Sequence, residues 1–104
     1  MARFDVYRNP LASERGIIPF YVDVQNTYLD ACGTRVVIPM RAAHASAGQL
    51  GDLNPDLLVH GDPVILDTAQ IGAVPLKALG TKVCNISKHQ NLIQLAMDKL
   101  FGGY

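Results

Sequence analysis

A chain of 104 residues, 49% apolar and only 17% charged, suffices for one domain, spanning 1–104, with one modest core. Nine basic and nine acidic residues cancel, which argues against grip on nucleic-acid phosphates, since that needs a basic surplus. So apolar and so small a domain leaves apolar surface uncovered, and such surface serves as an interface.

In chain order, residues 2–8 (ARFDVYR) alternate. Ala2, Phe4 and Val6 share one face and Arg3, Asp5 and Tyr7 the other, the pattern of a half-buried strand. Asn9–Pro10 opens a loop over 9–16. Residues 17–25 are rich in aromatic and β-branched side chains and predict a second strand. Pro19 lacks a ladder N–H and belongs at that strand's start or at an edge. Residues 26–33 break the pattern and hold Tyr28 and Leu29, expected to be exposed, between turn formers. A third strand, 34–40, is closed by Pro39. The small, polar stretch 41–56 predicts a loop with little structure. Strands at 57–60 and from 64 to about 71 flank Gly61-Asp62-Pro63, a hairpin-like turn. Pro75 and the segment LKALG follow.

The final segment has a different period. Ser87 with Gln90 three residues later makes a capping box. Leu92, Ile93, Ala96, Met97 and Leu100 then form one apolar stripe, with Gln94, Asp98 and Lys99 off it. Lys99 suits the negative end of the helix dipole, and Gly102 suits the C′ position. The helix is expected over 88–101. Strands followed by one long helix, without β-α-β alternation or repeats, define a mainly β (α+β) domain with the helix packed on one face of the sheet.

Catalytic chemistry is hard to assemble. Cys32 and Cys84 are far apart, match no zinc or C-x-x-C spacing, and read as free thiols of a reducing cytosol. His44, His60 and His89 are scattered, Glu14 is the only glutamate, and Asp62 and Asp67 read as turn and strand-end residues. No phosphate loop, dinucleotide fingerprint or nucleophile elbow occurs. No apolar run approaches the roughly 20 residues of a membrane span, and the start has no signal-peptide core. The reading is a cytoplasmic binding protein without catalytic residues, metal or cofactor. Its last residues, LFGGY, hold Phe101 and Tyr104, two of seven aromatic residues (four tyrosines and three phenylalanines). That placement suggests a surface read by something else.

Five stretches carry a resemblance. FDVY (4–7), YVDVQN (21–26), RVVIPM (35–40), ILDTAQIGAVP (65–75) and ISKHQNLIQLAMDKLFGGY (86–104) resemble, in order, the CcdB family of toxins from toxin–antitoxin pairs. The resemblance implies an SH3-like antiparallel sheet with a small three-stranded wing and one C-terminal α-helix, assembled as a homodimer. It implies binding to the A subunit of DNA gyrase and trapping of the cleaved gyrase–DNA complex. It also implies neutralisation by a cognate CcdA-like antitoxin through a disordered segment. By position, the gyrase-binding residues are Tyr28 and Leu29 in the loop, Asp98 on the helix, and Phe101, Gly102, Gly103 and Tyr104 in the tail. The tail departs from the family's common Phe-Trp-Gly-Ile. Gly102 stands in place of the tryptophan, Tyr104 in place of the isoleucine, and Asp98 where asparagine is usual. Two alternatives stay open beside this reading. One is an endoribonuclease toxin of the same fold, using Arg3, Arg8, Arg35 or Arg41. The other is a non-toxic dimeric module that retains only antitoxin binding.

Overall fold

The structure, a computed structural model, describes residues 1–29, 31, 33–45 and 51–103. The alternating N-terminal segment forms β1, Asp5–Arg8, shorter than expected because Phe4 kinks the chain at φ 72°. Nor is β1 half-buried: Asp5, Val6 and Tyr7 are all buried. Its second face is a polar core. The Asp5 carboxylate accepts from the Tyr7 hydroxyl (3.2 Å), Asn85 Nδ2 (2.9 Å) and the backbone N–H of Ala2 (2.9 Å), and pairs with Lys82 Nζ at 3.2 Å. Burial pushes the Asp5 carboxyl up. The hydrogen bonds from Asn85 and Ala2, together with Lys82, outweigh that and hold it below its ordinary value.

Strand β2, Phe20–Asp23, pairs antiparallel with β1 through Val6↔Val22. It is shorter than the expected 17–25, because the N–H groups of Ile17 and Ile18 donate back to the Glu14 carbonyl in a turn. Pro19 sits just before the strand, where its missing N–H does no harm.

Strand β3, Thr34–Ala42, runs on through Pro39, which does not close it. The Pro39 carbonyl accepts from the Asp67 N–H at 2.9 Å. Its ring nitrogen therefore faces the side where β3 changes partner, and no regular ladder bond is lost there. Of the expected loop 41–56, only residues 46–50 lie outside the described residues. Residues 41–42 belong to β3, and Ala43–Ala45 and Gly51–Leu53 form 3₁₀ turns.

Strands β4, Asp56–Val59, and β5, Asp62–Leu66, form a hairpin closed by the pair Val59↔Asp62. Its two-residue turn is His60–Gly61, with φ of 49° and 82°, the left-handed pair of a type I′ turn. The turn thus lies one step earlier than Gly61-Asp62-Pro63, and Asp62 and Pro63 already belong to β5. Strand β5 stops at Leu66 rather than near Ile71. Thr68, fully buried, opens a 3₁₀ turn and donates its hydroxyl to the Leu53 carbonyl at 2.5 Å. Strand β6, Gly72–Pro75, then pairs with the first half of β3. That arm, where a three-stranded wing was expected, pairs two strands among the described residues.

A seventh strand, β7, Lys82–Asn85, was not foreseen. It pairs with β1 and completes the order β4-β5-β3-β2-β1-β7, with β6 off that path. Gly80 brings the chain to this edge: its N–H donates to the Arg8 carbonyl at 2.9 Å, and a Cβ there would collide with that same carbonyl oxygen. Gly80→Ala should therefore destabilise the domain by about 1–3 kcal/mol, as other overpacked sites do. Thermal unfolding checks this, with a fall of about 4–8 °C expected for each kcal/mol.

Helix α1, Gln90–Phe101, follows a 3₁₀ turn at Ser87–His89. The expected capping box does not form. Asn85 Oδ1 accepts the Ser87 N–H at 2.9 Å, and His89, at the cap, makes no side-chain capping bond. Ile93, Ala96 and Met97 enter the core beside Phe4, Val6, Val22, Ile38 and Leu66. The buried stripe is narrower than the pattern suggested, since Leu92 is exposed and Leu100 half-buried. Gly102 ends the helix with φ 74° and ψ 31°, as its position predicted. Among the described residues, no helix is long and apolar enough to cross a membrane.

Candidate functional site: the loop after β2 and the end of α1

The loop begins with two buried charges. Arg35 holds Asp23 through two parallel bonds, Nε to Oδ2 at 2.6 Å and Nη2 to Oδ1 at 3.0 Å, with both side chains fully buried. Ions taken this far from water are tolerated only when their remaining donors and acceptors are also met. Here they are: Arg35 also donates to the carbonyls of Gln25 (3.1 Å) and Asn26 (3.4 Å), and Asp23 accepts the Gln25 N–H (2.9 Å).

The next two residues extend the scaffold. Gln25 Oε1 accepts the Val36 N–H at 2.9 Å, and its Nε2 donates to the Leu29 carbonyl at 3.0 Å. Asn26 accepts the Tyr28 N–H on its side chain (2.9 Å) and the Leu29 N–H on its carbonyl (3.1 Å), an Asx-type turn. A loop tied down this way can present apolar side chains outward. Tyr28 is 92% exposed and Leu29 49%.

At the other end of the site, Asp98 is half-buried and accepts from Gln94 Nε2 at 3.2 Å. Its main-chain carbonyl receives the N–H groups of Gly102 and Gly103, the latter at 2.7 Å. A Cβ at Gly103 would press to 3.3 Å from the Asp98 Cβ. Phe101 is 69% exposed, and Gly102 and Gly103 are exposed beside it. Tyr104 lies outside the described residues. Between loop and helix stands Arg3. Its N–H donates to Thr27 Oγ1 (3.0 Å), its Nε to the Val24 carbonyl (3.1 Å) and its Nη2 to Gln94 Oε1 (2.9 Å).

The six described site residues therefore sit on two elements joined by a polar chain. Sequence reasoning picked five exposed residues and the half-buried Asp98, and missed the supports, Asp23, Arg35 and Arg3. One signal was available: opposite charges set among valines in two strands expected to neighbour one another.

The four arginines weighed for nucleic-acid chemistry do not converge. Arg35 is committed to Asp23, and Arg41 pairs with Asp67 at 3.6 Å. Arg3 serves the loop. Arg8 lines a separate shallow pocket of about 270 Å³ with Arg15, Phe20, His60 and Asp62. Cys84 is a free, half-buried thiol whose pKa burial pushes up, which disfavours the thiolate. Cys32 lies outside the described residues. Among the described residues, no group of three metal-ligating side chains comes together.

The solved structure of an endoribonuclease in complex with its cognate antitoxin, from Mycobacterial species, is similar to this chain with a TM-score of 0.72. The match covers 98% of this chain and 95% of that one at 16% identity, a likeness of fold. Residues 3–103 match the family model described as CcdB protein. The chain belongs to the CcdB family, toxins of toxin–antitoxin systems.

Proposed function

We propose that this protein binds the A subunit of DNA gyrase and traps the gyrase–DNA cleavage complex, with a cognate antitoxin to neutralise it. The binding surface comprises Tyr28, Leu29, Asp98, Phe101, Gly102, Gly103 and Tyr104. One observation carries the reading: Tyr28 and Phe101, both large and both more than two-thirds exposed, stand on elements that hydrogen bonds hold in place. Exposed aromatics on a fixed frame are what binding hot spots use, because little entropy is lost on docking. Family membership points to the same target class.

The homodimer belongs to this proposal. Leu11, Ile17 and Leu58 are each at least half exposed, which is surplus apolar surface for so small a domain. An antitoxin partner is supported by the similar structure, which holds its toxin with a cognate antitoxin. Purified protein mixed with gyrase and supercoiled DNA should yield protein-linked double-strand breaks, and the antitoxin should suppress them. Absence of both binding and cleavage would remove the gyrase assignment.

A second reading, RNA cleavage, draws on the endoribonuclease name of the similar structure and on the Arg8, Arg15 and His60 pocket. Cleavage of RNA by the same preparation, with gyrase untouched, selects it. Growth without arrest on expression selects the non-toxic, antitoxin-binding alternative.

A further inference from the structure

We infer that Arg3 is a positioning residue that fastens the 24–29 loop to helix α1, so that a partner meets Tyr28 and Phe101 as one surface. The inference rests on the binding surface proposed above but draws on separate observations. Arg3 follows neither the apolar alternation of β1 nor the buried pairing of Asp5. The chain turns sharply at Phe4, whose φ of 72° is rarely adopted by a bulky residue. The Phe4 N–H is held in that turn by the Asp23 carbonyl at 2.6 Å. Backbone strain of this kind persists only where the surroundings enforce it.

Beyond the turn, Arg3 places donors on three separate groups. Its backbone N–H meets Thr27 Oγ1 and its Nε the Val24 carbonyl, both in the loop. Nη2 meets Gln94 Oε1 on the helix, 91 residues away in sequence. The Arg3 Cζ lies over the Phe4 ring, 4.7 Å from its centroid, within reach of a cation–π contact. Asn85 Nδ2 donates to the Arg3 carbonyl at 3.1 Å and steadies the main chain.

Arg3 is also the ridge between two shallow pockets. One is lined by Val24, Asn26, Thr27 and Tyr28, the other by Phe4, Gln90, Asn91 and Gln94. From Gln94 the chain of bonds continues to Asp98, whose carbonyl holds the turn after Phe101. A planar fork with several fixed donors can span loop and helix in one geometry. A lysine ammonium, with the same charge, cannot.

That difference sets the test, and Arg3→Lys is its centre. Hydrogen exchange is measured on the free protein at the Tyr28 and Leu29 amides, in Arg3→Ala, Arg3→Lys and Gln94→Ala. Exchange should quicken by about tenfold in both Arg3 variants, the worth of roughly one hydrogen bond, and less in Gln94→Ala. Gln94→Ala leaves Arg3 and the loop residues in place, so a response at Tyr28 reports the fastening itself. Binding to the gyrase A subunit should fall by about tenfold in Arg3→Lys, as in Arg3→Ala. Wild-type affinity in Arg3→Lys would mean that Arg3 acts on the partner through its charge, and would overturn the positioning role. Unchanged exchange in all three variants would overturn it too. If the wild-type protein binds no gyrase, the exchange data still decide whether loop and helix are fastened, and only the partner is wrong.

Discussion

Arg35→Ala should remove about 3–5 kcal/mol of stability, the usual loss when one member of a buried ion pair is deleted. The magnitude comes from what is left behind. Asp23 is wholly buried, and without the guanidinium its carboxylate would keep, among the described residues, only the Gln25 N–H as a hydrogen-bond donor. A domain of this size has only about 5–15 kcal/mol in total, so much of the margin goes. Urea unfolding of Arg35→Ala and of the double variant Asp23→Leu/Arg35→Met separates two effects. The double variant should recover part of the loss, because it buries no orphan charge. Yet it should still leave the carbonyls of Gln25 and Asn26 without their donor, and so loosen the loop that carries Tyr28. A loss below about 1 kcal/mol in Arg35→Ala would be the behaviour of an exposed pair and would contradict the burial.

Phe101→Ala should weaken gyrase binding by about 2 kcal/mol, roughly thirtyfold, while barely changing the melting temperature. Its side chain is 69% exposed, so the core loses little. Deleting residues 102–104 should abolish binding with the fold intact, since Ile93, Ala96 and Met97 anchor the helix well before that point. The lost C′ glycine and its bond to the Asp98 carbonyl lie at the very end of the helix, where their removal costs only tenths of a kcal/mol or so. Both variants need melting temperature and gyrase affinity measured together. A large fall in melting temperature would make the tail part of the core. Unchanged affinity at unchanged stability would move the contact to Tyr28 and Leu29.

The sequence carried the helix and most strands plainly, because apolar period is what burial selects. It concealed elements whose burial is polar. Strand β1 looked half-buried because Asp5 and Tyr7 read as solvent-facing, whereas they bond to one another and to Asn85 under cover. Strand β7 has four residues, only two of them apolar, too few to show a period. The Ser87–Gln90 capping box had the right spacing but lost its serine to a 3₁₀ turn fixed by Asn85. In the site, exposed Tyr28 and Phe101 were legible as apolar residues among turn formers. Asp23 and Arg35 were not legible within either strand alone; only the comparison of two strands expected to neighbour one another sets their opposite charges together.

Strand β1 finds its neighbour β7 only across the length of the chain, with Asp5 opposite Asn85. Contacts so distant in sequence form slowly, because the intervening chain must be ordered before they repay its entropy. The link from Arg3 to Gln94 spans 91 residues, and a ribosome adding about 5–20 residues per second needs roughly 5–20 s to cover that stretch. Through that interval the nascent chain can hold the loop without the helix that faces it. A translation product that stops short of Gln94 therefore lacks the link that ties the loop to the helix, however complete its strands.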